Sequence, residues 1–290
     1  MTFALIANPN SSHVSEPLRR VTRWCHRHKA TYRLSADLKQ TASLENHELQ
    51  TITHDSNETM AGATMAITIG GDGTILHAAQ HVAKRKIPIL GINSGRLGFM
   101  ANIQEDQIEI ALDAVLRGEY KLDERSMLKA WLPDGQTVHA LNEFLFSKKE
   151  TTTLVTITAH YGDQLVNRYR ADGLIVASPT GSTAYNLSSG GPIVLPGTPV
   201  MILTPINPHT LTTRPLVLPA DRRVKITVED DDARNVLFSN DGKLHTLPEQ
   251  KEGIQVGLSD RSVKLVQLLN QDFFETLRSK LMWGMDVRRP

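Results

Sequence analysis

Up to about residue 120, short apolar runs alternate with amphipathic stretches. Phe3 to Ala7 is followed by an amphipathic segment from Glu16 to Lys29, and Met65 to Ile69 by another from Thr74 to Arg85, before the apolar run Ile87 to Ile92. Apolar runs of this length, bounded by turn residues and separated by helical periodicity, predict a βα rhythm. From about 125 to 268 the period drops to two, as in Thr152 to Thr158, Arg223 to Val228 and Ser262 to Gln267. Turn-forming triplets punctuate this half: Pro133-Asp134-Gly135, Tyr161-Gly162-Asp163 and Asn240-Asp241-Gly242. Alternation broken by such turns predicts an antiparallel β domain. The segment Asp272 to Leu281 carries apolar residues at 273, 274, 277 and 281, one face of a closing helix. The pattern thus predicts an α/β domain over 1–120 and a mainly-β domain over 121–269.

Length agrees with two domains, since 290 residues exceed the usual size of one. Lys and Arg number 32 against 31 Asp and Glu, so the basic excess that nucleic-acid binding exploits is missing and a small-molecule site is expected. The single cysteine, Cys25, excludes an intrachain disulfide framework and fits a reducing compartment, with cytoplasm as the expectation. There is no run of about 18 apolar residues and no basic leader before Asn8-Pro9-Asn10, so neither membrane insertion nor export is expected. Asp230-Asp231-Asp232 reads as a solvated turn. Trp24-Cys25-His26-Arg27-His28 looks like a metal cluster, but on a helix residues 25, 26 and 28 do not share a face.

The sharpest local feature is Ile67-Thr-Ile-Gly70-Gly71-Asp72-Gly73-Thr74-Ile-Leu76, where an apolar strand enters three glycines and then a helical pattern. Glycine allows positive φ and close approach of backbone to ligand, and the helix start aims unpaired N–H groups at an anion. A P-loop would need Lys-Ser/Thr after the last glycine, where Thr74-Ile75 stands; a dinucleotide fingerprint would need glycine at Leu76 and an acid near Ile92-Asn93. The segment therefore reads either as a different phosphate loop or as a tight turn in which Asp72 caps the helix.

A second constellation runs from Arg170 through Asp172-Gly173 and Pro179-Thr180-Gly181-Ser182-Thr183-Ala184-Tyr185-Asn186 to Ser188 and Gly191. Asp172 accepts hydroxyl or amino hydrogens, Tyr185 offers a stacking face, and the Ser and Thr hydroxyls are short donors, a set suited to a nucleoside or to an ordinary loop. In Ala140-Leu-Asn142-Glu143-Phe-Leu-Phe146 an amide and a carboxylate interrupt an apolar strand, so Glu143 either faces water at an edge or meets a ligand. In Thr204 to Pro219, prolines fix an extended path and leave His209 and Arg214 to face a phosphate or to cap the turn.

Taken in order, Gly70-Gly-Asp-Gly-Thr74, Gly91-Ile-Asn-Ser-Gly-Arg-Leu-Gly-Phe99, Asn142-Glu143, Asp172-Gly173 with Pro179-Thr-Gly-Ser-Thr-Ala-Tyr185, and Pro208-His-Thr-Leu211 with Arg214-Pro215 resemble the bacterial NAD kinase family over nearly the whole chain. The resemblance implies an α/β N-terminal domain, a mainly-β C-terminal domain, a last segment (270–290) returning to the first domain, and an active site between the two. It implies ATP-dependent phosphorylation of the adenosine ribose 2′-hydroxyl of NAD, with Mg²⁺ as the divalent metal, in a cytoplasmic homodimer or homotetramer, with neither nucleic acid nor membrane as partner. By motif, Asp72 resembles the catalytic aspartate, with Gly71 and Gly73 the phosphate-facing loop and His77 at a position where many members carry a base. Asn142 and Glu143 match a pair that holds adenine or ribose, and Asp172 the residue at the nicotinamide end. Arg170 stands where a cation approaches substrate, and Thr183, Ala184, Tyr185, Asn186 and Ser188 line the NAD pocket. Lys243 replaces the usual Gln after Asp241-Gly242, and Asn207 replaces the cysteine or aromatic before Pro-His-Thr. The rival readings are a lipid or sugar kinase sharing the Gly-Gly-Asp-Gly loop, and a module that senses a dinucleotide without turning it over.

Overall fold

The computed structural model describes residues 1–95, 97–149, 153–229, 232–245, 253–269 and 271–283. It separates into two units: Met1–Glu124 together with the chain from Val263 onward, and Arg125–Ser262.

The first unit contains β1 (Thr2–Ala7), α1 (Ser15–Arg27), β2 (Thr31–Ser35), α2 (Ala36–Thr41), β3 (Gln50–Thr53), α3 (Ser56–Met60), β4 (Met65–Gly70), α4 (Asp72–Val82), β5 (Ile89–Asn93) and α5 (Ile108–Arg117). Its strands pair in parallel in the order β5-β4-β1-β2-β3. The apolar runs are these strands because both faces are covered, which leaves β1 and β4 almost wholly buried. On α1, Leu18, Val21, Trp24 and Cys25 enter the core at helical spacing. Trp24 Nε1–H donates to Asp113 of α5 at 2.7 Å. Cys25, His26 and His28 diverge: burial pushes the Cys25 thiol up to about 12, His26 stacks on His47, and His28 stacks on Trp24. The helix expected over 74–85 begins two residues earlier and gives way after Val82 to a 3₁₀ turn. The short helices α2 and α3 escape sequence periodicity because each is under two turns; they stand on the caps supplied by Ser35 and Asp55.

The second unit contains β6 (Tyr120–Trp131), whose residues up to Glu124 belong to the first unit, β7 (Thr137–Ala140), β8 (Glu143–Lys148), β9 (Val155–Tyr161), β10 (Gln164–Ala171), β11 (Gly173–Ala177), α6 (Tyr185–Ser188), β12 (Val200–Ile206), β13 (Leu216–Pro219), β14 (Val224–Val228), β15 (Val236–Asn240), β16 (Lys243–His245) and β17 (Ile254–Leu268). One antiparallel sheet runs β13-β12-β11-β8-β15-β16, and β10-β9-β14-β17 are neighbours in a second. The two share a core in which Phe144, Phe146, Leu174, Val176 and Phe238 meet Ile157, Ala159, Val224, Ile226 and Val256. The turn after Asn240 closes a hairpin with Asp241 at φ 45° and Gly242 at φ 82°, the mirror-image turn that suits strand twist.

The strand expected from Thr152 starts at Val155, and Thr152 lies outside the described residues. So do Asp230 and Asp231; Asp232 is no mere solvated turn residue, because its carboxylate accepts the Thr156 N–H at 2.8 Å. The last residues of β17 belong to the first unit, where Leu265 pairs in parallel with Ile89. The chain ends its described part in α7 (Phe273–Leu281), capped by Asp272, whose carboxylate accepts N–H groups from Phe274 and Glu275 and which buries Leu277 in that same unit.

Candidate functional site

In the first unit the chain proceeds from β1 outward to β3 and then returns to place β4 on the other side of β1. That reversal leaves a crevice beyond the carboxyl ends of β1 and β4, the position where open α/β sheets hold ligands. A cleft of about 500 Å³ occupies it, lined by Ala7, Asn8, Pro9, Gly71, Gly73, Thr74 and His77. Gly70 has φ 153°, and a Cβ there would stand 2.2 Å from Thr74 Oγ1, so no larger residue fits the turn into α4. Asn8 and Pro9 carry no phosphate-loop signature of their own; only the adjacency of β1 and β4 brings them in. His77 is exposed on α4, one turn from His81.

Gly71, not Asp72, is the N-cap of α4, which removes the reading of Asp72 as a capping side chain. The Asp72 carboxylate instead reaches across to the loop after β5. It accepts the backbone N–H of Phe99 at 2.9 Å and those of Met100 and Ala101 at 3.0 Å each. Gly98 makes room for it: a Cβ at that position would be 2.2 Å from Asp72 Oδ1. Lys280 of α7 sets its ammonium 3.8 Å from Asp72 Oδ2 and 4.6 Å from the centre of the Phe99 ring. The Gly-x-Leu-Gly-Phe motif is therefore the carboxylate's seat.

In the second unit Asn142 and Glu143 open β8, in the interior of its sheet between β11 and β15, so Glu143 does not face water at an edge. Asp241, in the β15–β16 turn, accepts the N–H groups of Leu141 at 2.7 Å, Asn142 at 2.8 Å and Glu143 at 3.2 Å. The side chains so presented are unsatisfied: Asn142 Oδ1 and Glu143 Oε2 are buried without a hydrogen-bond partner among the described residues. Desolvation, with the Asp241 charge adding to it, pushes the Glu143 carboxyl up to about 8. A buried acceptor left unmatched is costly, so this pair is open to a donor from outside the described residues.

The turn after β11 closes on the same place. Ser178 N–H donates to Asn142 O at 2.8 Å, and a Cβ on Gly181 would be 2.2 Å from that oxygen. Thr183 and Ala184 are half-buried there, and Tyr185 and Ser188 exposed. Asn186 departs from expectation as a ligand contact, because its side chain is fully buried. Its amide donates to Ser182 O and Pro192 O at 3.0 Å each, and its oxygen accepts the Thr204 hydroxyl at 2.6 Å. It holds the turn. Lys243, exposed, pairs with Asn240 at the Phe144 end of β8 and so lies toward Asn142 and Glu143.

Asp172 lies elsewhere. It precedes β11, at the Lys148 end of the β8–β11 pair, five strand residues or about 17 Å from the Glu143 end. Both its oxygens are engaged, with Lys148 Nζ at 2.5 Å and Asn207 Nδ2 at 3.0 Å, and these contacts hold its carboxyl below the ordinary value. Asn207 adopts φ 44°, a left-handed conformation that asparagine tolerates, and this turns its amide onto Asp172. The substitution of Asn207 before Pro208 thus makes a contact to Asp172. Arg170 is exposed on β10, and its carbonyl accepts the His209 N–H at 2.9 Å. Arg214 caps its own turn, donating to Leu211 O and Thr213 O.

Comparison with known proteins shows which family this fold and sequence resemble. Family models match residues 3–120 as an ATP-NAD kinase N-terminal domain and 141–268 as an ATP-NAD kinase C-terminal domain. A NAD kinase of Bacteroides fragilis is 41% identical over 229 residues, 78% of each chain, and one of Cytophaga hutchinsonii is 38% identical over 227 residues, 77% of each. Among solved structures, an NAD kinase from Archaeoglobus fulgidus in complex with ATP is 26% identical with a TM-score of 0.75, covering 97% of this chain and 99% of that one. Yeast NADH kinase complexed with NADH shares the fold with a TM-score of 0.87 at 24% identity, over 100% of this chain and 90% of its own. With both halves matched and relatives this similar over more than two thirds of its length, the chain belongs to the NAD kinase family.

Proposed function

We propose that the chain transfers the terminal phosphoryl group of ATP to the 2′-hydroxyl of the adenosine ribose of NAD, giving NADP and ADP. The observation that carries this reading is the juxtaposition at the start of α4 of anion-receptive backbone N–H groups with a carboxylate fixed by three amides. A carboxylate has about four acceptor positions, so three amides leave one for a substrate hydroxyl. The hydroxyl oxygen bonds to the terminal phosphorus, the bond to the ADP oxygen breaks, and the proton passes to Asp72. Gly71 and Gly73 let the phosphates approach the backbone closely.

Asn142 and Glu143 receive the adenine or ribose, supported by their unmatched acceptors. Thr183, Ala184, Tyr185 and Ser188 complete that pocket, and Arg170 with Asp172 serves the nicotinamide end. Among the described residues no group of three or more His, Cys, Asp or Glu could hold a metal ion. That fits Mg²⁺ carried in by the nucleotide, which would be held mainly by substrate phosphates and water. When bound, such a metal would supply positive charge to offset that of the phosphates. Exposed Leu216 and Val217 on the edge strand β13 support a homo-oligomer. No helix among the described residues is long and apolar enough to cross a membrane, and the lone thiol of Cys25 supports a cytoplasmic setting.

The test supplies ATP, Mg²⁺ and NAD and couples the product to an NADP-specific dehydrogenase. Equal yields of NADP and ADP are expected. NAD binding without ADP release would make the chain a sensor, and ADP release only with a lipid or sugar acceptor would make it the other kinase.

A further inference from the structure

Asp72 creates an electrostatic difficulty for the site it serves. It sits between Gly71 and Gly73, which front the cleft, and its unit negative charge opposes an incoming triphosphate. A helix start offers only about half a positive charge in return. The loop by itself would therefore present a net negative face to its anionic substrate, and it has no lysine of the P-loop kind to reverse this.

Lys280 stands where the difficulty arises. At 3.8 Å its ammonium is too far from Asp72 Oδ2 for a hydrogen bond, yet close enough for charge to act. The Phe99 ring lies beneath it at 4.6 Å, and the same Phe99 gives its backbone N–H to Asp72. One loop residue thus holds both charges. The side chains are 32% and 26% exposed, and an ion pair so open to water adds little to stability. The helix that carries Lys280 begins at Phe273, beyond residue 268 where the family match ends.

We propose that Lys280 is a positioning residue of the phosphoryl-transfer site: its ammonium offsets the charge of Asp72, so that a nucleoside triphosphate meets a net positive loop. This rests on the assignment of the Gly70–Thr74 loop to phosphate binding.

Kinetics with ATP varied at several salt concentrations, on Lys280→Met, Lys280→Gln and Lys280→Arg, test it. Lys280→Met and Lys280→Gln should raise the KM for ATP about tenfold and flatten its salt dependence, with kcat within about threefold and the unfolding temperature unchanged. Lys280→Arg should bring KM back to within about twofold of the parent. A wild-type KM and salt slope in the neutral variants would overturn the proposal, as would an Arg variant as impaired as the Met variant. Calorimetric binding of inorganic triphosphate needs no acceptor and no turnover, so it separates this role from the identity of the reaction. Weaker binding by the neutral variants upholds the role of Lys280 whatever the acceptor, and equal binding by all four proteins overturns it.

Discussion

Asp72 in the first unit and Glu143 in the second are the two carboxylates proposed for the site, and the chain treats them in opposite ways. Asp72 is supplied in advance with three backbone donors and a nearby cation. Glu143 is half-buried, with its buried Oε2 unmatched among the described residues and its backbone N–H committed to Asp241. A carboxylate that must orient a hydroxyl has to be held in place before substrate arrives, and amide donors do this. A carboxyl that recognises a ligand does the reverse: left short of donors, it makes the ligand the missing partner. The device beneath them is nevertheless shared, since Asp241 binds the consecutive amides of 141–143 as Asp72 binds those of 99–101.

The sharpest way to break the contrast is Asp72→Asn. The asparagine oxygen can accept from part of the amide set, but its NH₂ faces a backbone N–H, and a stranded donor costs about 1–3 kcal/mol. Loss of the base adds a fall of about 10²–10⁴-fold in kcat, with KM for NAD changed much less. Kinetics and thermal unfolding must be read together. Full turnover in the variant would show that the charge is not used. Gly98→Ala is the companion, because its methyl group would collide with the Asp72 carboxylate while leaving Asp72 itself intact. It should lower kcat in the same direction, and wild-type kcat there would mean that the seat of Asp72 does not matter.

Glu143→Gln tests the other member. The Glu143 carboxyl is raised from 4.5 to about 8, so the folded state favours its protonated form. Its contribution to stability is complete below about 4.5 and is lost as pH rises through about 8. Glutamine should abolish that decline, seen as unfolding temperature against pH. A ligand donor to the ionised carboxylate should also make NAD binding at pH 7 release a proton, detectable by calorimetry in buffers of different ionisation enthalpy. Glutamine should remove the release and weaken NAD by about 10–100-fold, the scale of a hydrogen bond to a charged group. No proton release by the parent protein would mean that the ligand accepts from Glu143 instead.

Tyr185→Ala sharpens the comparison by removing apolar area from the pocket proposed around the unmatched pair. Tyr185 is 44% exposed, so the fold should survive. Stacking worth roughly 1–3 kcal/mol predicts a KM for NAD raised about tenfold; unchanged affinity would remove the ring from the pocket. The smallest effect belongs to Lys243→Gln, which should shift NADP affinity by about threefold and flatten its dependence on salt. Superimposable salt titrations of parent and variant would leave Lys243 a surface residue.

Much of this was legible in the chain itself, because local patterns answer to local physics. Burial on two faces makes the apolar runs at Phe3–Ala7 and Met65–Ile69, alternation marks the β half, and the glycines at 70, 71 and 73 announce a turn, which requires glycine at 70. The order of motifs carried the family and the reaction. Tertiary structure decided the partners. Nothing near Asp72 in sequence says that its carboxylate is bound by amides 27 to 29 residues away, or that Lys280 arrives from the last described helix. Asn186 stood in a ligand motif yet turns inward, and Asp241 looked like half of a turn yet organises Asn142 and Glu143. Backbone conformation and burial depend on neighbours in the chain, which a sequence displays; hydrogen bonds and charge pairs between distant residues depend on where the strands cross and return, which only the folded topology sets.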